Sequence, residues 1–189
     1  MSRVPDLPAA EMSSEQQRLY QEISGPRGNV AGPFALWIRL PAVADVANKF
    51  GNALRLEGKL DRRIFELVVL IIARHWGAQY EWFVHEPAAI KAGLAPEIAA
   101  AIRNGLEPAY ARDDERVAAT LTKELLQSRA VSLATYDRTL DLFGLDLVIE
   151  MITVIGFYTT AAMMINTFES SVPGDARPLP ALEEGGHLA

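Results

Sequence analysis

Apolar residues recur at helical spacing along most of this chain, and no segment between the two ends alternates at period two. Val43, Val46, Ala47, Phe50 and Leu54 fall on one helical face, which predicts a helix from Pro41 to about Leu56. Pro41 stands in its first turn, where a missing N–H does no harm. Gly58 ends that helix, and Asp61 is a good cap for the next one. The run IFELVVLIIARHW is apolar on nearly all sides, so a helix over 61–76 belongs at the centre of a core. Gly77 breaks it. A further helix spans about 78 to 93, where Pro87 should kink it or restart it.

Punctuation places the remaining elements. A first helix runs from Ser13 or Ser14 to Ile23, and Gly25-Pro26-Arg27-Gly28 then forces a loop that continues through Gly32-Pro33 to Leu40. Later helices span 96–104, 112–128, 133–143 and, after Gly144, 145–168. Met151 to Phe168 carries no charge, but it holds Thr153, Gly156, Tyr158, Thr159, Thr160, Asn166 and Thr167, with Glu150 and Glu169 at its borders. A lipid-facing span needs about 20 mostly apolar residues, so this stretch reads as a core helix. The expectation is an all-α protein of about eight helices. A single domain covers 11–169, between an N-terminal arm (1–10) and a C-terminal tail (170–189) rich in Pro, Gly and Ala.

Composition changes this picture in two places. The chain has 189 residues, half of them hydrophobic, and a net charge of 18 − 24 = −6. A surface of that sign repels phosphate backbones and anionic lipid, so neither nucleic acid nor membrane is an expected partner. There is no cysteine. Disulfides, thiolate metal sites and thiol nucleophiles are therefore impossible on this chain. A cysteine-free acidic chain whose N-terminal residues lack an apolar run suits the cytoplasm.

Candidate chemistry concentrates between residues 66 and 85. Glu81 and His85 are four apart, so they share a helix face and can touch. His75, Trp76 and Trp82 lie in the same segment. A carboxylate beside an imidazole in an aromatic pocket is a plausible proton-transfer pair, and it equally describes an ordinary surface contact. Glu66 sits on an otherwise apolar helix, where a carboxylate is costly unless paired. Its structural partner would be Arg62, Arg63 or Arg74.

The same residues carry a family resemblance. Glu66, Ala78, Glu81 and His85 fall at the spacing Glu-x11-Cys-x2-Cys-x3-His. That is the motif of the peroxidase members of the carboxymuconolactone decarboxylase / AhpD-like superfamily. Ala78 and Glu81 stand where those members have cysteines, and Tyr80 precedes the second of these positions. Leu40-Pro41-Ala42-Val43-Ala44, Lys91-Ala92-Gly93-Leu94 and Leu147–Phe168 also resemble that family's flanks. The resemblance spans roughly residues 30–172. It implies an AhpD-like all-helical fold and a trimer or hexamer with its site near a subunit interface. It also implies that thiol peroxidase activity is absent, because both thiols are.

Three functions follow as expectations. The first is a cofactor-free and metal-free lyase that decarboxylates a small oxo-acid or lactone acid of aromatic-compound catabolism. In it, His85 is the general acid/base, Glu81 orients it, Tyr80 hydrogen-bonds the oxyanion and Glu66 is a second carboxylate. Arg74 or Arg39 would bind the substrate carboxylate, with Trp37, Trp82 and Phe83 as apolar walls. The second is a metal-dependent hydrolase or isomerase built on Glu66, Glu81 and His85. The third is an oligomeric binding protein with no catalysis.

Overall fold

The computed structural model describes residues 2–181. Among them there are eight α-helices and no strand. They are α1 (Ser14–Arg27), α2 (Pro33–Trp37), α3 (Pro41–Asn52), α4 (Arg62–Trp76), α5 (Gln79–Lys91), α6 (Pro96–Arg103), α7 (Asp113–Ser128) and α8 (Leu133–Phe168). The all-helical expectation holds, and the element boundaries hold for most helices.

Helix α4 is the axis of the fold. Asp61 caps it by accepting from the N–H groups of Arg63 and Ile64. Every residue from Arg63 to Arg74 is buried, as an all-round apolar sequence requires. Gly77 ends the helix in the left-handed region at φ 61°. The N–H of Ala78 then bonds to Ala73 O and that of Gly77 to Arg74 O, the Schellman pattern. This tight closure turns the chain straight into α5, so α4 and α5 form a helical hairpin.

Two layers of side chains cover α4. Ile64, Phe65, Val68 and Ile72 pack with Leu121 of α7 and with Met151, Val154 and Tyr158 of α8. Leu67, Leu70 and Ile71 pack with Trp82 of α5, Leu94, Ile98 and Ile102 around α6, and Leu179. A third cluster joins Leu19 and Ile23 of α1 to Phe34, Trp37, Ala44 and Ala161. Polar ties supplement the packing. The buried Arg63 guanidinium bonds to Glu115 at 2.6 Å and to Asp114 at 2.6 Å, joining α4 to α7. The Glu150 carboxylate accepts from the N–H groups of Lys59 and Leu60, fixing the entry to α4 against α8.

Three local expectations are corrected and a fourth is narrowed. The segment around Pro33 is helical, because proline suits the first turn of a helix that Gly32 introduces at φ 58°. Helix α1 continues past Gly25 and Pro26 to Arg27, and the left-handed Gly28 closes it. Helix α3 ends at Asn52 and continues as a π-helical turn, Ala53–Glu57, rather than as regular helix to Leu56. Helix α5 runs through Pro87 without restarting. Pro87 lies on its exposed side beside Phe83, whose carbonyl loses its helical donor there. The expected break at Gly144 is present, with φ 75° and ψ 163° inside α8. No helix among the described residues is long and apolar enough to cross a membrane.

The arms pack on the body. Arg3 bonds to the Thr167 carbonyl and Glu169, and Arg39 reaches the Pro5 carbonyl at 2.6 Å. In the tail, Leu179 is buried and exchanges two 2.9 Å hydrogen bonds with Gln79. The rest of the expected tail, 182–189, lies outside the described residues, as does His187.

Candidate active site

A cavity of about 460 Å³ opens between α4, α5, α8 and the segment before α2. Its size suits a small organic molecule. Glu66, Tyr80, Glu81, Phe83 and His85 all line it, together with Phe34, Arg55, Arg62, Phe157 and Tyr158.

The centre of the site is a carboxylate–imidazole pair. Glu66 is fully buried, and its Oε2 lies 2.7 Å from Nδ1 of His85. Its Oε1 is 2.5 Å from Arg62 Nη2, one turn back on α4. The Arg62 guanidinium also sits 4.5 Å over the Phe65 ring. A buried carboxylate needs both a counter-charge and a hydrogen-bond donor, and Arg62 and His85 supply them. An ionised Glu66 takes the Nδ1–H of His85, which leaves Nε2 as the ring's free basic nitrogen. The Tyr158 ring stands edge-on to the imidazole at 5.0 Å and fixes its plane.

Glu81 occupies a different environment. It is 4% exposed, and its Oε2 has no hydrogen-bond partner among the described residues. Burial alone pushes its carboxyl up to about 8. At neutral pH Glu81 is therefore mainly the neutral acid, a donor rather than an anion. Two carboxyl groups in one cavity thus differ in environment, Glu66 held by Arg62 and His85 and Glu81 isolated and raised by burial. Tyr80 follows the same logic. Burial, then Glu81 and Asp6, raise its phenol above the ordinary value, so it too remains a donor. The Tyr80 ring lies directly against the Gly32 backbone, where any Cβ would come within 2.3 Å of it. Burial raises Tyr158 further, against a lowering contribution from Arg55.

The sequence-predicted residues divide sharply. Glu66, Tyr80, Glu81, His85 and Phe83 converge on the cavity. The expected Glu81–His85 contact is replaced by Glu66–His85, because α4 presents its buried carboxylate to the ring from across the hairpin. Arg74, Arg39, Trp37 and Trp82 do not line the cavity. Arg74 is buried beside Gly105, and its guanidinium bonds to the Pro180 carbonyl at 3.3 Å. Arg39 is held at the surface by the Pro5 carbonyl. Trp37 is core, 5.0 Å edge-on to Phe34. Trp82 is core too, and its indole N–H donates to Glu86, which pairs with Arg103. Among the described residues, no three His, Asp or Glu side chains converge as a metal-binding group, so Glu66, Glu81 and His85 do not assemble as a metal triad.

Sequence reasoning missed Arg55, and it named Arg62 only as a possible structural partner of Glu66. It also missed Phe34, Phe157 and Tyr158 as walls. Phe157 and Tyr158 lay in the uncharged run of α8, and nothing in that run distinguishes a cavity wall from ordinary core.

These features define an all-helical protein with a largely buried carboxylate–imidazole pair on the wall of a small cavity. The model of the carboxymuconolactone decarboxylase family matches residues 41–124, which hold Arg55, Arg62, Glu66 and the whole of α5. Over that span of 84 residues the chain is similar to this family, and it has no cysteine. Among solved structures it is similar to an uncharacterised peroxidase-related protein from Ralstonia eutropha JMP134, described as an alkylhydroperoxidase AhpD core. The TM-score is 0.75 at 17% identity, covering 95% of this chain and 98% of that one. That likeness establishes the fold. No protein of curated function matches the sequence significantly.

Proposed function

We propose that the cavity is the active site of an acid–base lyase that removes CO₂ from a small organic acid. The observation that carries this reading is the 2.7 Å contact of buried Glu66 with His85 on the cavity wall. The family's decarboxylase name supports the reaction class. Thiol peroxidation has no support, since the chain has no cysteine.

The geometry accounts for each step. Cleavage of the C–C bond to the carboxylate leaves its electron pair on the substrate, where a conjugated carbonyl takes it up as an enolate. The neutral acid Glu81 and the Tyr80 hydroxyl are donors suited to the developing oxyanion. His85 takes up a proton from solvent on its free Nε2 and transfers it to the substrate carbon as CO₂ leaves. Glu66 stabilises the imidazolium while it exists and fixes its orientation. The apolar walls Phe83, Phe34 and Phe157 lower the polarity around these groups, which strengthens the interactions among them.

The test uses the purified chain with γ-carboxymuconolactone and with acetoacetate, following CO₂ release. Turnover is expected with at least one acid, and it should fall by at least a hundredfold in His85→Ala. Absence of CO₂ from both acids, or equal turnover in the variant, overturns the proposal.

A further inference from the structure

With Arg74 and Arg39 tied to backbone carbonyls elsewhere, the cavity needs another group to hold an acidic substrate, and the charges around it identify one. Arg62 is matched by Glu66 at 2.5 Å. Glu81 stands in an environment without a counter-cation. Arg55 also lines the cavity, half-buried, and no carboxylate among the described residues pairs with it. Setting Arg55 and Arg62 against Glu66 leaves one cation on this wall without a matching carboxylate. The rest of the wall is largely aromatic and aliphatic, with Phe83, Phe157 and Tyr158 among its members.

The backbone at Arg55 is unusual in a way that serves this placement. Arg55 is the middle residue of the π-helical turn Ala53–Glu57. Single π turns shift the facing of the residues they contain, and they are frequent at functional sites. The Arg62 guanidinium donates to the Arg55 carbonyl at 3.5 Å, tying this turn to the residue that holds Glu66. Arg55 is also close enough to Tyr158 to oppose the rise of its phenol pKa, which puts the cation beside the residue that packs on His85.

We propose that Arg55 is the anchor for a carboxylate of the substrate, which the cavity holds against largely apolar walls. The proposal rests on the reading of this cavity as an organic-acid site and specifies how the acid is held. A guanidinium binds a carboxylate through two parallel N–H bonds, and in a half-buried site such a bond is strong. One unmatched charge among apolar walls suits a carboxylate better than a dianionic phosphate.

The experiment compares two probes of nearly the same shape, benzoate and its neutral counterpart benzamide, by titration calorimetry on the intact chain. Inorganic phosphate serves as a competitor. Benzoate is expected to bind in the millimolar range, about tenfold or more tighter than benzamide. Arg55→Gln should bring benzoate down to the benzamide level while leaving benzamide unchanged, and Arg55→Lys should retain part of the preference. Unaltered circular dichroism of both variants separates loss of the anchor from loss of the fold. Equal binding of the two probes, failure of benzoate to bind, indifference of benzoate to Arg55→Gln, or displacement of benzoate by phosphate at lower concentration would each overturn the assignment. The two proposals fail separately. Arg55-dependent benzoate binding without CO₂ release from any acid would remove the lyase and keep the anchor. CO₂ release with no role for Arg55 would do the reverse.

Discussion

Oε2 of Glu66 and Nδ1 of His85 meet at 2.7 Å although 19 residues separate them in the chain. The contact exists because α4 and α5 fold back on each other through the Gly77-Ala78 closure, which brings a mid-helix carboxylate opposite a mid-helix imidazole. Glu66 cannot be a passive occupant of its position. It is fully buried in a helix whose other core residues are mostly apolar, so an uncompensated charge there would be expensive. Arg62 and His85 offset that cost, and the compensation leaves His85 oriented with one nitrogen free.

The Glu66→Gln substitution keeps the shape and still accepts from Nδ1–H, but it removes the charge that stabilises the imidazolium. Turnover should fall by about a hundredfold or more, while the fold persists. Steady-state rates beside a thermal melt test this. An unchanged rate in a folded variant would reduce Glu66 to a structural partner of Arg62.

Glu81 gives a prediction about pH. Its carboxyl is raised from 4.5 to about 8 by burial, so the folded protein binds this proton more tightly than the unfolded chain does. Between those two values the native state carries more protons, and the contribution to stability falls as pH rises. It is fully present below about pH 4.5 and lost above about pH 8, with a total size of a few kcal/mol. Glu81→Gln keeps a neutral group of the same shape and should flatten this slope. Urea midpoints from pH 5 to 9 would show it, and an identical slope in the variant would mean that Glu81 is not the group responsible.

How far the sequence reaches can be judged from these same residues. The caps and breakers Asp61, Pro41, Gly77 and Gly144 act locally, so they could be read directly, and with them most of the helix order. Glu66, Tyr80, Glu81 and His85 were legible because three of them share one helix and the fourth is a charge in an apolar run. The pairing itself was not legible. Spacing along α5 favours Glu81 as the partner of His85, and only the hairpin geometry selects Glu66. Arg55 gave no signal, since the π turn that bears it interrupts a pattern that reads as continuous α-helix. Trp82 and Arg74 illustrate the opposite error. Both have the right chemistry in the right segment, but each points to the far side of α4 or α5, where Glu86 and the Pro180 carbonyl satisfy them.

Gly32 should be intolerant of any side chain. A Cβ there would stand 2.3 Å from Tyr80 Cε1, and the backbone has φ 58°. Gly32→Ala must either displace the Tyr80 ring from the cavity or strain the turn into α2. A loss of about 1–3 kcal/mol is expected, together with weaker turnover. Melting temperature and rate measured together would settle it, and a variant with both unchanged would show that the Tyr80 ring is not fixed by this turn.

Arg63 provides the counterpart far from the chemistry. Its guanidinium is 5% exposed and bonds to the 3%-exposed Glu115 and to Asp114. Burial alone would raise the Asp114 carboxyl, but its bonds from Arg112 and Arg63 outweigh that and hold it below the usual range. Truncating the cation in Arg63→Ala leaves Glu115 as an uncompensated charge between α4 and α7. Removing one partner of a buried pair costs about 3–5 kcal/mol, far more than a surface pair is worth. The variant should therefore unfold at a much lower denaturant concentration. Changing Glu115 to Gln in the same chain removes the stranded charge and should recover part of the loss, a non-additivity that a double-mutant cycle measures directly. Strict additivity of the two substitutions would mean that Arg63 and Glu115 do not interact. Neither residue lines the cavity, so the KM of whatever acid is turned over should stay within about twofold in every variant that remains folded.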